Sequence, residues 1–253
     1  MTKTREEILE INPVFTKFVL DLQMNYKPEL FEKGESIILD IDDDEGTILT
    51  KELVEKLNRR QNEEFETNRD VNPFKNSEEL KFIGSRLAIS SKDNTTEYLI
   101  DIANFIEKIR TELMETDLMV LGIQNISWLY QDNEYLPVKK ALNYLKQRID
   151  NKFCGGFLLS KDEIKEFIPH LFWLTRCNAS LPYFYMSFPK SKTVITICKY
   201  GVLHFDFYDK NEKLKILKIL SEKDFKELDS CVDPIDFDDF DGRKIKITTN
   251  TKL

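Results

Sequence analysis

Between Leu181 and Tyr208, apolar and polar residues alternate with a period of two through three successive runs. In the first, Phe184, Met186 and Phe188 fall on one face, with Tyr183, Tyr185 and Ser187 on the other. In the second, Ile195 and Ile197 oppose Val194, Thr196 and Cys198, and in the third Leu203, Phe205 and Phe207 oppose Val202, His204, Asp206 and Tyr208. Successive side chains of a strand point to opposite faces, so these runs predict three antiparallel strands that agree on one apolar face. The short link Tyr200-Gly201-Val202 predicts a hairpin, with Gly201 supplying the permissive backbone and a bulge beside it. Opposed residues of an antiparallel pair share a face. Pairing Ile195 with Phe207 and Ile197 with Phe205 therefore sets Cys198 opposite His204 and Thr196 opposite Asp206. Leu214–Leu220, close behind the polar turn Asp209–Glu212, reads as a fourth strand, although Leu214, Leu217 and Leu220 also fit a helical stripe.

Elsewhere the spacing is mostly helical. Ile8, Ile11, Phe15, Phe18, Val19 and Leu22 form a stripe that Pro13 divides, so a second helix is expected to start after Asn12. Ser36–Asp42 is a short extended run. Thr50 opens a helix through Leu53, Val54 and Leu57 that is expected to dissolve into the polar stretch Asn58–Asn72, leaving Gln61–Pro73 as a mobile loop or a frayed helix end. A helix through Leu80, Ile83 and Leu87 follows, and then the clearest stripe of the chain, Tyr98, Ile102, Phe105, Ile106 and Ile109, capped by Asn94. Leu118–Gly122 and Ser127–Gln131 are β-prone, and Pro137 opens a helix through Val138, Leu142, Leu145 and Ile149. Ser160 with Glu163 starts another helix, which Pro169 is expected to end or to break with a new turn. Ser221–Asp224 has the form of one more helix start, and Lys244–Thr248 that of a last strand.

These elements make an α+β chain: a mostly helical region over 1–152, and a region over 153–253 that joins a helix to an antiparallel β-meander. Gly155-Gly156 marks the candidate boundary, though the flanking Phe153 and Phe157 are equally compatible with one packed domain.

With 253 residues, 18 Phe, 9 Tyr and a hydrophobic fraction of 41%, the chain can bury a substantial core, and no apolar run reaches the length of a membrane span. Met1–Asn12 is charged and lacks the apolar stretch of a secretory signal, so a cytoplasmic location is expected. Cys154, Cys177, Cys198 and Cys231 are widely spaced, without a C-x-x-C pair, and read as reduced thiols. The formal net charge of −8 argues against direct binding to nucleic acid or an anionic membrane.

The candidate chemistry is sparse. Two histidines exclude a multi-histidine metal centre, and Gly155-Gly156 lacks the remainder of a phosphate-cradling loop. His170, between Pro169 and an apolar run, reads as a packed side chain. Asp40-Ile41-Asp42 after an apolar run resembles the first motif of haloacid dehalogenase-like phosphatases, but Asp44 stands where that motif has Thr or Val, and the alternation of strands and helices that the resemblance implies is missing. The same run fails as a calcium loop, because Glu45 replaces the required glycine and Lys51 the bidentate glutamate. The shared face of Cys198, His204 and Asp206 is the one set able to activate a thiol or ligate a metal.

The second constellation is acidic. Asp233, Asp236, Asp238, Asp239 and Asp241 interleave with Phe237 and Phe240, and aromatics among carboxylates provide both steering and desolvated anchors for a basic protein. Together with Tyr183 and Tyr185 they suggest a non-catalytic protein-binding module, an inhibitor or immunity-type protein that docks a basic partner such as a nuclease, with no cofactor or metal required. An enzyme or small-ligand or metal binder built on Cys198, His204 and Asp206 is the alternative.

Overall fold

A computed structural model describes residues 1–37, 47–74, 80–92, 94–129, 132–177, 183–223 and 225–231. In chain order the elements are β1 (Thr2–Lys3), α1 (Arg5–Leu9), α2 (Pro13–Met24), β2 (Ser36–Ile37), β3 (Thr47–Ile48), α3 (Lys51–Asn68), β4 (Gly84–Ser90), α4 (Thr95–Glu112), β5 (Leu118–Gly122), α5 (Leu136–Lys146), β6 (Gly156–Leu159), α6 (Lys161–Cys177), β7 (Phe184–Ser187), β8 (Thr193–Ile197), β9 (Leu203–Phe207), α7 (Lys210–Glu222) and β10 (Phe225–Leu228). Eight strands form one sheet in the order β1-β6-β5-β7-β8-β9-β4-β10, with every neighbouring pair antiparallel, and β2 pairs with β3 in a small separate ribbon. The α+β class read from the sequence is the observed one. Helices outweigh strands in the first 152 residues, which also give β1, β4 and β5 to the large sheet.

The alternation along β7, β8 and β9 decides which way the sheet faces. Phe184, Met186, Ile195, Ile197, Leu203, Phe205 and Phe207 point to a first face and pack with α4, α5, α6 and α7 in the main core. On the second face, Met119, Leu121 and Val194 pack against Ile8 and Leu9 of α1 and Phe15 and Val19 of α2. α1 lies over β5 and β6, and α2 over β8. Beyond that cover, His204, Asp206 and Leu87 of the second face are half-buried, and Ser85 and Lys226 are exposed.

A buried polar clamp holds α1 and α2 in place. Arg5 reaches Asp70 with two parallel bonds, Nε to Oδ1 at 2.8 Å and Nη2 to Oδ2 at 2.6 Å, and donates to the Gly122 carbonyl at 2.8 Å. Gln23 of α2 donates to the same carboxylate at 2.7 Å and to the Ile123 carbonyl at 2.6 Å, and accepts from the Asp70 N–H. The N-terminus, α2, the chain leaving α3 and the end of β5 thus meet at one charge pair whose guanidinium satisfies strand-end carbonyls as well.

Several expected elements differ in kind. Leu214–Leu220 is helix, because Asp209 caps α7 by accepting from the N–H groups of Asn211 and Glu212, and Ile216, Ile219 and Leu220 then form the buried stripe. Ser221 and Glu222 are accordingly the last residues of α7, with Lys223 at its C-cap, and do not start a new helix. The expected helix through Leu80–Leu87 is instead β4 from Gly84 onward. Its place between β9 and β10, with Ala88, Ile89 and Ser90 all buried, overrides a spacing that fitted a helix. α3 continues to Asn68 instead of ending near Asn58; Asn58 ties it to the Phe31 backbone, and Arg60 pairs with Glu64 one turn on. α6 runs through Pro169, since Ile164, Phe167, Ile168, Leu171 and Phe172 are buried on both sides of it. Their burial, about 1.5–3 kcal/mol each, outweighs a proline cost of about 3 kcal/mol. Trp128 and Leu129 lie in a turn rather than a strand. Gly155 and Gly156 lie where β1, β6 and β5 pass closely: a Cβ would come within 2.1 Å of the Lys3 carbonyl oxygen at the first and 2.7 Å of the Val120 carbonyl oxygen at the second. Gly156 therefore opens β6 inside the sheet, with Gly155 packed just ahead of it. Lys244–Thr248, the acidic run Asp40–Glu45 and most of Ser36–Asp42 fall outside the described residues.

Candidate functional site

The second face of β7, β8 and β9 is where the sequence-derived candidates assemble. The β8–β9 register pairs Thr193 with Phe207, Ile195 with Phe205 and Ile197 with Leu203, two residues away from the expected pairing. The turn explains the shift. Cys198 accepts from the Gly201 N–H at 2.8 Å and donates to the Val202 carbonyl at 3.0 Å, so the loop is Lys199-Tyr200-Gly201, with Gly201 at φ +81° in its third position. That is the common three-residue hairpin, and the bulge expected near Gly201 is this left-handed residue. A slip of two preserves every face, so the inward residues were identified although their partners were not. Thr196 stands opposite His204, and Val194 opposite Asp206.

Cys198 and His204 nevertheless meet, diagonally across the pair, and the third member of the group is Cys231 instead of Asp206. Cys231 Sγ lies 3.1 Å from His204 Nε2 and 3.9 Å from Cys198 Sγ, and the three donor atoms are all within 4.8 Å of one another. Each of the three is half-buried. Burial, with Cys231 alongside, pushes the Cys198 thiol up to about 11, and burial lowers the basicity of His204. Cys198 is thus a protonated thiol in the absence of a ligand, which does not suit a nucleophile. Asp206 accompanies His204 on the same face of β9 but makes no hydrogen bond to it, so among the described residues no carboxylate orients the imidazole as an acid–base triad would need.

Asp206 belongs to a different neighbourhood. Burial raises its carboxyl, and no cation among the described residues offsets that cost. Tyr185 and Tyr208 both feel its charge, and Tyr208 also feels Asp21. Tyr185 packs edge-on against Phe18 of α2 at 5.0 Å, and Tyr208 against Phe82 at 5.9 Å. Tyr26, at the end of α2, interacts with Tyr183 and Tyr185. Burial of the rings raises the hydroxyls of Tyr26, Tyr185 and Tyr208, the last two up to about 12. Tyr183, Phe82 and Tyr26 form the outer rim, with 63%, 54% and 46% of their surface exposed.

Of the sequence-derived docking residues, the structure brings Tyr183 and Tyr185 into this aromatic and acidic patch. Asp233, Asp236, Phe237, Asp238, Asp239, Phe240 and Asp241 lie outside the described residues. The patch members missed from sequence, Tyr26, Phe82, Asp21 and Tyr208, come from three separate segments. Only Tyr208 carried a signal, its position on the polar-tipped face of the third alternating run. Cys231 carried none, being 27 residues beyond its nearest partner. His170 stacks on Tyr144 with ring centroids 4.2 Å apart, in keeping with a packed histidine.

No helix among the described residues is long and apolar enough to cross a membrane. Comparison with known proteins finds no matching family model, no matching curated protein and no matching solved structure.

Proposed function

We propose that this chain is a non-catalytic protein-binding module that docks a basic partner on the second face of its sheet, as an inhibitor or immunity-type protein would cover the cationic surface of a nuclease. The observation that carries this reading is Asp206: a half-buried carboxylate without a cation among the described residues, set among Tyr185, Tyr208, Tyr183 and Tyr26. Desolvating a charge without a counter-ion costs free energy, and a Lys or Arg from a partner recovers it. The tyrosine faces add cation–π sites worth about 0.5–2 kcal/mol each, and tyrosine and arginine are the commonest anchors of protein interfaces. The net charge of −8 and the run Asp233–Asp241 supply long-range attraction for the same partner.

Affinity capture of the tagged protein from its native lysate, at low and high salt, tests the proposal. A basic protein in stoichiometric yield is expected at low salt, lost at high salt and lost in Tyr183→Ser/Asp206→Asn. A partner retained equally by that variant would place the interface elsewhere and overturn the proposal, as would the absence of any partner.

A further inference from the structure

The geometry points to a divalent metal site of the zinc class at the other end of the same face, held by Cys198 Sγ, His204 Nε2 and Cys231 Sγ. Three parts of the chain converge there: the last position before the β8–β9 turn, the second residue of β9, and the segment after β10. In a tetrahedral site, Zn–S of about 2.3 Å and Zn–N of about 2.0–2.1 Å put two sulfurs ~3.8 Å apart and sulfur and nitrogen ~3.5 Å apart. The observed separations are 3.9 Å between the sulfurs and 3.1 Å between Cys231 and His204. A shift of a few tenths of an ångström converts the thiol–imidazole hydrogen bond into a pair of ligands.

The donor set selects the metal. Two thiolates and one imidazole suit Zn(II) or its Co(II) substitute, whereas Mg(II) and Ca(II) require oxygen ligands. Binding replaces two thiol protons by two metal–sulfur bonds and releases those protons to solvent, without change of oxidation state. Three protein ligands leave the fourth position for water or an external ligand. In the sequence, the acidic run begins at Asp233, two residues beyond Cys231. This site is independent of Asp206 and the tyrosine patch, and neither proposal requires the other.

Titration of the reduced full chain with Co(II) under anaerobic conditions tests it. One equivalent should develop thiolate-to-cobalt charge-transfer bands and the intense visible bands of tetrahedral cobalt, and one equivalent of Zn(II) should bleach both. Cys198→Ser, Cys231→Ser and His204→Ala should each weaken binding by about a hundredfold or more, beyond what loss of a supporting hydrogen bond costs. Cys154→Ser, which removes a thiol outside the group, should leave the titration unchanged. Cys231 lies in no helix or strand and is only half-buried, and serine is nearly isosteric with it, so its variant separates loss of ligand from loss of fold. Absence of charge-transfer bands in the wild type, or their persistence in Cys231→Ser, would overturn the assignment.

Discussion

Replacing Asp70 by alanine should destabilise this protein far more than the loss of one salt bridge at a surface. The side chains of Arg5 and Asp70 are only 9% and 10% exposed, and the contact is bidentate. Without the carboxylate, Arg5 keeps its bond to the Gly122 carbonyl but holds an uncompensated charge in a site it cannot leave without releasing α1, and the Gln23 amide loses an acceptor. Breaking one side of a buried pair costs about 3–5 kcal/mol, whereas exposed pairs are worth about 0–1 kcal/mol. At about 2–4 °C per kcal/mol for a chain of this size, Asp70→Ala should lower Tm by roughly 10 °C. Arg5→Met/Asp70→Leu, which removes the charge together with its partner, should lose much less than Asp70→Ala alone. Urea unfolding of the wild type, Arg5→Met, Asp70→Leu and the double variant gives the coupling directly. If Asp70→Ala cost under about 1 kcal/mol, or if the two single losses simply summed in the double variant, the pair would not be functioning as a buried charge pair and the reasoning would fail.

Two further outcomes concern the hairpin and the packed histidine. Gly201→Ala forces an L-residue to φ +81° and sets a methyl 3.0 Å from Phe172 and 3.1 Å from Tyr98, so it should cost about 1–2 kcal/mol for the backbone alone, with crowding in addition; a urea midpoint unchanged from wild type would refute this. Burial lowers the pKa of His170 from its ordinary value, so in the pH range below about 6.5 the unfolded chain takes up a proton more readily than the folded one. Stability contributed by neutral His170 is therefore complete above that pH and declines as pH falls, and His170→Gln should flatten the decline measured by urea unfolding between pH 7 and pH 5.

How far the fold could be read from sequence follows from the range of the forces involved. Faces were legible along β7, β8 and β9, and along α2 and α4, because periodicity is local and burial enforces it: Phe205 and Phe207 are inside and His204 and Asp206 are not. The helix start after Asn12 and the cap at Asn94 were legible for the same reason, and both asparagines accept from the N–H groups just ahead of them. Register was not, since a slip of two preserves every face and only the Lys199-Tyr200-Gly201 turn selects between alternatives. β4 was misread because neighbouring strands, rather than its own spacing, decide its state. At the candidate site, Cys198 and His204 were found through a shared face, while Cys231 and Tyr26 arrive from distant segments that no local pattern connects.

The docking face is tested most directly by association and dissociation rates of the captured partner, measured over a range of salt for the wild type, for Asp206→Asn, and for the triple change of Asp236, Asp238 and Asp239 to Asn. A desolvated anchor acts on dissociation and a distant acidic run on encounter. Asp206→Asn is therefore expected to speed dissociation by about thirtyfold, as loss of an anchor worth about 2 kcal/mol requires, with association nearly unchanged. The triple variant should slow association and flatten its dependence on salt. Rates for Asp206→Asn indistinguishable from wild type would contradict the assignment of this face as the interface.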